Sequence, residues 1–145
     1  MNKTTAAIFG LSLILAHAAN ADPATCEDIV AVGHTFVSGP ASFDGSATTN
    51  LGEAIVHVDL LGVKPIAKGK LNAATSHTFT LGDIVFSTSD IAMLTPLNDR
   101  GLFRLNTQAN VASGEVWGHL TVDGLVELSP SGWAKWLATG QLCSR

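Results

Sequence analysis

The chain has 145 residues, of which 14% are charged, and its formal net charge at pH 7 is −4. The basic residues are scattered along the chain, so composition and charge do not indicate a nucleic-acid-binding surface. A chain of this length is expected to bury a single hydrophobic core, and one domain is predicted.

The first part of the chain has the three regions of a secretory signal peptide. Lys3 is followed by an apolar run from Ala6 to Ala16, and small residues for signal peptidase follow at Ala19 and Ala21. A membrane-spanning helix needs about 20 apolar residues, so the run is too short for a membrane anchor. We therefore predict a signal peptide at residues 1–21, a mature domain at residues 22–145, no integral membrane insertion, and a periplasmic or secreted localisation.

The only cysteines of the sequence, Cys26 and Cys143, lie near the two ends of the predicted mature chain. An even pair in an oxidising compartment predicts a structural disulfide, which would join the first strand to the last. The alternatives are free thiols or part of a metal site. A Cys-x-x-Cys spacing is absent from the sequence, so redox catalysis is not indicated.

Short apolar runs with a two-residue period follow one another through the mature chain, and no stretch has the pattern of a helix of ordinary length. The Gly-, Ser- and Thr-rich residues 38–50 are predicted as a long loop. The runs predicted as strands are Ile29–Val37, Leu51–Val63, Ile66–Ala74, Thr75–Leu81, Ile84–Ser89, Ile91–Thr95, Leu102–Ala112, Glu115–Val122, Leu125–Leu128 and Trp133–Cys143.

Turn signals separate several of these runs. They lie at Gly82-Asp83, at residues 96–101 and at residues 129–132. Asp123-Gly124 predicts a hairpin, because a type I′ turn needs positive φ at both central residues.

This pattern is typical of an all-β protein, either a sandwich or an up-and-down barrel. We predict a single antiparallel barrel of about eight short strands, because hairpins run through the whole chain and a disulfide would join its ends. A barrel of this size has room for interior side chains or one small ligand. An outer-membrane barrel is the alternative closed form, but its strands are about 9–11 residues long with aromatic girdles, and this chain has no Tyr.

The run Phe86–Asn106, with its motif Thr-Ser-Asp-x-Ala-x-Leu-Thr-Pro at Thr88–Pro96, resembles small exported bacterial proteins with an allene-oxide-cyclase-like (calycin-like) β-barrel. The resemblance extends to the terminal Gly-x-x-Cys at residues 140–143. The chain departs from that pattern at Ile91, where the relatives tend to carry Arg, and at residues 111–118. The resemblance implies a small apolar substrate in the lumen, with cyclase or isomerase chemistry in some members.

Ionisable residues with alternate spacing mark one face of the predicted strand Leu51–Val63. Glu53, His57 and Asp59 share this face, because side chains alternate along a strand. A histidine beside carboxylates can act as a general acid or base. The other face, which begins at Ala54, is apolar throughout and forms a complete core face, so a solvent-facing position of the ionisable residues is the alternative.

The strand Glu115–Val122 presents Trp117 and His119 on one face, which suits a platform for a planar ligand. Cross-strand aromatic packing is the alternative. Arg104 is a candidate to hold a carboxylate or carbonyl, with a solvated surface charge as the alternative. Phe103 is a candidate wall residue, and Asp90 lies within the motif of the resemblance. Because the sequence contains neither His-x-His nor Glu-x-x-His, no metal site is predicted.

Two functional hypotheses remain open. In the first, the barrel acts on a small apolar molecule without a cofactor, with Glu53, His57 and Arg104 as catalytic residues and with ligand contacts from Trp117, His119, Phe103 and Asp90. It requires at least two of these polar groups to point into a cavity on the order of a few hundred Å³. In the second, a non-catalytic barrel with an aliphatic lumen binds a small ligand or a protein. The oligomeric state is left open.

Overall fold

The computed structural model describes residues 24–113 and 115–145, so the predicted signal peptide lies outside the described residues. Eight antiparallel strands form one closed barrel, in which each strand pairs with its neighbours in sequence and β1 pairs with β8. The all-β, single-barrel prediction is confirmed. The strands are β1 Thr25–Gly39, β2 Ser42–Thr49, β3 Gly52–Pro65, β4 Leu71–Leu81, β5 Ile84–Pro96, β6 Leu102–Ser113, β7 Val116–Glu127 and β8 Trp133–Ser144.

A short 3-10 turn at Ala67–Gly69 between β3 and β4 is the only helical element within the described residues. Across those same residues, none of the helical structure has the length and apolar character needed to pass through a bilayer.

Buried and exposed residues alternate along each strand, as the pleat of a β-strand requires. On β5, for example, Phe86, Ala92 and Leu94 are buried, whereas Ile91 and Met93 are exposed. The core therefore lies inside the barrel and is built from alternate residues of each strand.

The prediction of a long loop at residues 38–50 is wrong, because β2 occupies most of this segment and pairs with both β1 and β3. Only Phe43 and Ala47 of this strand are buried, so its apolar content is too low to predict a strand. Its glycine has a packing role: a Cβ at Gly45 would overlap the backbone of His34 on β1.

The predicted hairpin at Asp123-Gly124 is also wrong, since β7 runs through both residues. Gly124 pairs with Trp136 on β8, and a Cβ at Gly124 would collide with the backbone there. The glycine therefore permits close strand packing rather than a turn.

The predicted breaks between Ala74 and Thr75 and between residues 89 and 91 are likewise absent, because β4 and β5 are continuous. The turns at residues 82–83, 97–101 and 128–132 are confirmed.

The predicted disulfide between Cys26 and Cys143 is confirmed. The two residues are register partners on β1 and β8, with Cα atoms 4.0 Å apart, and the bridge joins positions 117 residues apart in sequence. It fixes the strand pair that closes the barrel.

The two ends of the barrel differ in how they are filled. The end that carries the disulfide, which we call the disulfide end, contains a dense apolar cluster. There Phe79 stacks on Phe86 with ring centroids 5.0 Å apart and meets the edge of Trp136 at 6.0 Å. The opposite end, formed by the β1–β2, β3–β4, β5–β6 and β7–β8 connections, we call the loop end.

Candidate functional site

A cavity of about 60 Å³ lies in the half of the barrel interior nearer the loop end. Its walls are mostly apolar side chains from all eight strands, and its polar lining residues are Thr35, Thr75, His77 and Asp90. A buried water needs about 10–15 Å³ of such space, so the cavity can hold several waters or a small chemical group. It is smaller than the pockets of about 300–1,000 Å³ that enclose whole drug-sized ligands.

Asp90 is the buried charge at the centre of this site. Its side chain is 0% exposed, and the side chain of His77 beside it is 15% exposed. His77 Nδ1 lies 3.1 Å from Asp90 Oδ1 and 3.0 Å from Thr88 Oγ1. Thr107 Oγ1 donates a hydrogen bond to Asp90 Oδ2 at 2.8 Å. Both carboxylate oxygens therefore have partners, as a buried charge requires.

The ionisation of Asp90 follows from these contacts. Burial raises the pKa of its carboxyl, but the hydrogen bond and charge of His77, together with the hydroxyls of Thr107 and Thr75, outweigh burial and hold the pKa below its usual value of 3.8. Asp90 is therefore an anion at neutral pH, and His77 is held against it.

The strand register brings these residues together. On the antiparallel pair β4–β5, Thr75 is opposite Asp90 and His77 is opposite Thr88. All four occupy positions whose side chains point into the barrel, so these side chains meet on one patch of the inner wall. Thr107 reaches the same carboxylate from β6, the next strand of the barrel.

Two hydroxyls of the cavity wall, Thr35 Oγ1 and Thr75 Oγ1, are buried and have no hydrogen-bond partner among the described residues. Thr35 is 1% exposed and Thr75 is 8% exposed. Leaving a buried polar group unpaired costs about 1–3 kcal/mol, and such groups in native proteins are nearly always satisfied. The Thr75 hydroxyl lies near enough to the Asp90 carboxylate to help lower its pKa, but it forms no hydrogen bond of ordinary geometry there. Both hydroxyls are therefore able to bind a partner from outside the chain.

A wider depression of about 650 Å³ lies at the loop end, between the β1–β2 and β7–β8 connections. Its walls include Val37, Pro40 and Pro130, and it shares Phe43, Leu60 and Leu128 with the interior cavity. The shared residues place the two spaces next to each other, with apolar side chains between them. Phe43, Leu60 and Leu128 therefore form the common border of the two spaces.

The structure places the three predicted catalytic residues, Glu53, His57 and Arg104, on the outer face of the barrel. On β3 the inward positions belong to Ala54, Val56 and Val58, so Glu53 and His57 point outward by alternation. The inward orientation that the first hypothesis required of these residues is therefore not found. Glu53 instead accepts a hydrogen bond from Thr48 Oγ1 at 3.2 Å on the outside of β2.

His57 forms an outer-face cluster with two carboxylates. Its Nδ1 lies 2.6 Å from Asp44 Oδ1 and its Nε2 lies 3.1 Å from Asp59 Oδ1. The hydrogen bond with Asp44 raises the pKa of His57 above its usual value of 6.5; burial opposes this effect, and the contact with Asp59 adds to it. The cluster is well exposed to solvent, with 42% of the His57 side chain accessible.

Of the predicted ligand-binding residues, Asp90 lines the cavity and Phe103 packs against the core. Trp117 and His119 lie on the outer face of β7, where Trp117 pairs in register with Cys143 and the Arg145 guanidinium lies 5.7 Å from its ring centroid. The platform predicted from these two residues is therefore outside the lumen. The second hypothesis also differs from the structure, because His77 and Asp90 interrupt the aliphatic interior.

Sequence reasoning missed His77, Thr35 and Thr75. The alternation in β4 contained a usable signal: one face is Ser76, Thr78 and Thr80, whereas the other carries His77 together with Phe79 and Leu81. The more apolar face is expected to point inward, and His77 with it. For Thr35 the sequence offered no comparable signal, since its strand has polar residues on both faces.

Within residues 24–113 and 115–145, no three His, Cys, Asp or Glu side chains lie close enough to hold a metal ion together. Comparison with protein-family models, curated proteins and solved structures found no match to this chain.

Proposed function

We propose that this protein is an exported barrel that binds a small, mostly apolar molecule through one polar group, at the loop end of its lumen. The observation that carries the proposal is the pair of buried, unpartnered hydroxyls of Thr35 and Thr75 on the wall of an otherwise largely apolar cavity. A ligand that supplies the missing hydrogen bonds removes the cost of burying them.

The dimensions of the two spaces define how such a ligand lies. The interior cavity of about 60 Å³ accepts a carbonyl or hydroxyl group with a few attached carbons. The apolar body of the molecule then occupies the depression at the loop end, against Phe43, Leu60 and Leu128. Burial of apolar surface there supplies most of the affinity, and the hydroxyls supply orientation.

Two further observations support parts of the proposal. The disulfide between Cys26 and Cys143 supports export, because such bonds persist in oxidising compartments. The closed eight-stranded barrel supports a relationship to allene-oxide-cyclase-like proteins. Within the motif Thr88–Pro96 that carries that resemblance, Asp90 is the ionisable residue at the lumen, beside Ala92 and Leu94.

The test replaces the unpartnered hydroxyls by methyl groups. We expect Thr35→Val to leave the free protein as stable as the unmodified one or more stable, because it removes a buried unpaired polar group. Thr75→Val should cost at most about 1 kcal/mol, because its hydroxyl also acts on the Asp90 carboxylate. The same changes should weaken binding of cyclopentanone, used as a small polar-headed probe, by about 2- to 10-fold each. Ligand titration by NMR measures the affinity, and urea denaturation measures stability.

Thr107→Val is the matched control, because its hydroxyl is already hydrogen-bonded to Asp90. This variant should lose stability by about 1–3 kcal/mol, since it leaves one oxygen of a buried carboxylate unpaired. Failure of cyclopentanone and related small ketones and alcohols to bind the unmodified protein saturably would overturn the proposed function. So would unchanged affinity in both the Thr35→Val and the Thr75→Val variant.

A further inference from the structure

We propose that His77 is a general base that moves a proton of a small enolisable ketone bound in the lumen, with Asp90 as its positioning residue. This inference rests on the proposed function, because it requires the carbonyl group to enter the interior cavity. It adds an activity, the isomerisation or proton exchange of ketones, and a substrate class to the binding site.

The hydrogen bonds of His77 define which nitrogen is basic. Nδ1 lies within hydrogen-bond distance of the ionised Asp90 carboxylate, an obligate acceptor, so Nδ1 carries the proton. In the neutral imidazole Nε2 then keeps its lone pair, and among the described hydrogen bonds it has no partner. Since His77 lines the cavity, Nε2 is the ring nitrogen available to a ligand there. A histidine oriented by a buried carboxylate is the arrangement that general-base catalysis uses.

The same wall offers donors for the carbonyl oxygen. Thr75 lies two residues before His77 on the inner face of β4, so their Cα atoms are about 6.5 Å apart along the strand. Its unpartnered hydroxyl can donate to a carbonyl oxygen while the adjacent carbon faces the imidazole. Thr35 on β1 provides a second unpartnered hydroxyl on the same cavity. Donors aimed at an oxygen that gains charge lower the barrier to enolate formation.

The proton balance needs no cofactor or oxidant. Nε2 takes a proton from the carbon next to the carbonyl, and the electrons of that C–H bond form the C=C bond of the enolate. The carbonyl π electrons move to oxygen, which accepts the hydrogen bonds of Thr75 and Thr35. The imidazolium, stabilised by Asp90, then delivers a proton to the same carbon or to the far end of the new double-bond system. Delivery to the same carbon exchanges the α-hydrogen when a solvent hydrogen has first replaced the one on Nε2, and delivery to the far end converts a β,γ-unsaturated ketone into its conjugated isomer.

The apolar walls strengthen each of these interactions. The polar side chains of the cavity are surrounded by apolar wall residues, which include Ala73, Ala92, Leu94 and Trp136. The effective dielectric constant there is therefore low, and a ligand that enters displaces most of the water. The buried charge of Asp90 can act on the imidazolium without being screened by solvent. These walls also limit the substrate to molecules whose reacting part is small.

The experiment incubates the purified protein with 3-cyclohexenone and follows the absorbance of its conjugated isomer, 2-cyclohexenone. In parallel, loss of the α-proton signals of cyclopentanone in D₂O is followed by NMR. The unmodified protein should accelerate both reactions saturably over buffer containing the same concentration of imidazole. His77→Gln should lose about 100-fold or more of the protein-dependent rate while its affinity for cyclopentanone changes by less than about 10-fold.

His34→Gln is the matched control. His34 lies on the outer side of β1, so this substitution should leave the rate unchanged. Asp90→Asn should also lose about 100-fold or more, since a neutral amide does not stabilise the imidazolium. Its separate readout is the ¹⁵N spectrum of His77 at pH 8. The spectrum should show Nδ1 protonated and Nε2 unprotonated in the unmodified protein and a shifted tautomer ratio in Asp90→Asn.

Saturable binding of cyclopentanone without acceleration of either reaction would overturn this inference and leave the proposed function standing. The inference would also be overturned, with the proposed function left standing, if the His77→Gln variant kept the accelerated rate. A His77 proton found on Nε2 instead of Nδ1 in the unmodified protein would have the same consequence. Absence of any saturable ketone binding would overturn both proposals together. A folded His77→Gln variant is recognised by its retained ketone binding, so a misfolded one is not mistaken for a catalytic loss.

Discussion

The indole ring of Trp136 occupies the space where a side chain at Gly33 would begin. The two residues are register partners on β8 and β1, and a Cβ at Gly33 would lie within the indole. Trp136 is 7% exposed and forms part of the lumen wall. The size of the cavity therefore depends on a glycine on the neighbouring strand, which lets the largest side chain of the interior lie flat against the wall.

We expect Gly33→Ala to destabilise the protein by about 1–3 kcal/mol, because the indole must move into an interior that is already packed. Urea denaturation measures the change. The control is Gly62→Ala in β3, where a new Cβ meets nothing within 4 Å, and its effect should stay within about 0.5 kcal/mol. Equal effects of the two changes would contradict this account of Trp136.

Removing the disulfide should lower stability without changing the fold. The bridge closes a loop between positions 117 residues apart, and the chain-entropy model gives about 4–5 kcal/mol for so long a loop, with measured values commonly lower. The double variant Cys26→Ser, Cys143→Ser should unfold at a lower urea concentration and keep a β-sheet circular dichroism spectrum. Thiol titration of the unmodified protein that found free cysteines would contradict the bridge.

The acid stability of the protein should depend on Asp90. Its folded-state pKa lies below the usual 3.8, so as the pH falls the unfolded chain takes up this proton first. The stabilisation is present above about pH 3.8 and is lost as the pH falls through the folded-state pKa. Asp90→Asn should therefore show a shallower loss of stability in acid. Asp83→Asn, in the exposed β4–β5 turn, should keep the steep dependence, and matching curves for the two variants would contradict the role of Asp90.

The outer cluster of His57 should titrate in the opposite sense. Hydrogen bonds to Asp44 and Asp59 raise the pKa of His57 above 6.5, so its stabilising contribution is complete below that pH and is lost as the pH rises through the folded-state pKa. An NMR titration of the imidazole protons should give a midpoint above 6.5, and Asp44→Asn should move it downward. Ser46→Ala, on the same face of β2, should not move it. A midpoint at or below 6.5 in the unmodified protein would show that the contact is absent in solution.

The even pair of cysteines predicts the disulfide, the Gly- and Pro-containing segments predict most of the turns, and two-residue periodicity predicts the strands of the barrel. It failed at β2, because this strand contributes few core residues and depends on its neighbours for burial. The hairpin prediction failed at Gly124 for a related reason: one sequence does not reveal that the backbone of a neighbouring strand lies against this glycine. Contacts across strands decide both cases, and strand register cannot be read from a single sequence.

The candidate site was predictable only at Asp90. Alternate spacing of polar residues predicts site residues at Glu53 and His57, yet their apolar neighbours Ala54 and Val56 mark the opposite face of the strand as the inner one. The alternation of β4, which sets His77 on the same face as Phe79 and Leu81, contains the signal for its inward position. The grouping of His77 with Asp90 depends on the β4–β5 register, which sets Thr75 opposite Asp90 and His77 opposite Thr88.

An NMR titration with cyclopentanone, observed at the His77 ring and at the methyl groups of Ala73 and Ala92, tests the lumen site most directly. These groups line the interior cavity, whereas His57 lies on the outer face and serves as the internal reference. We expect saturable shifts at the cavity groups and none at His57. Shifts confined to outer-face residues, or no saturable shift at all, would contradict a ligand site inside the barrel.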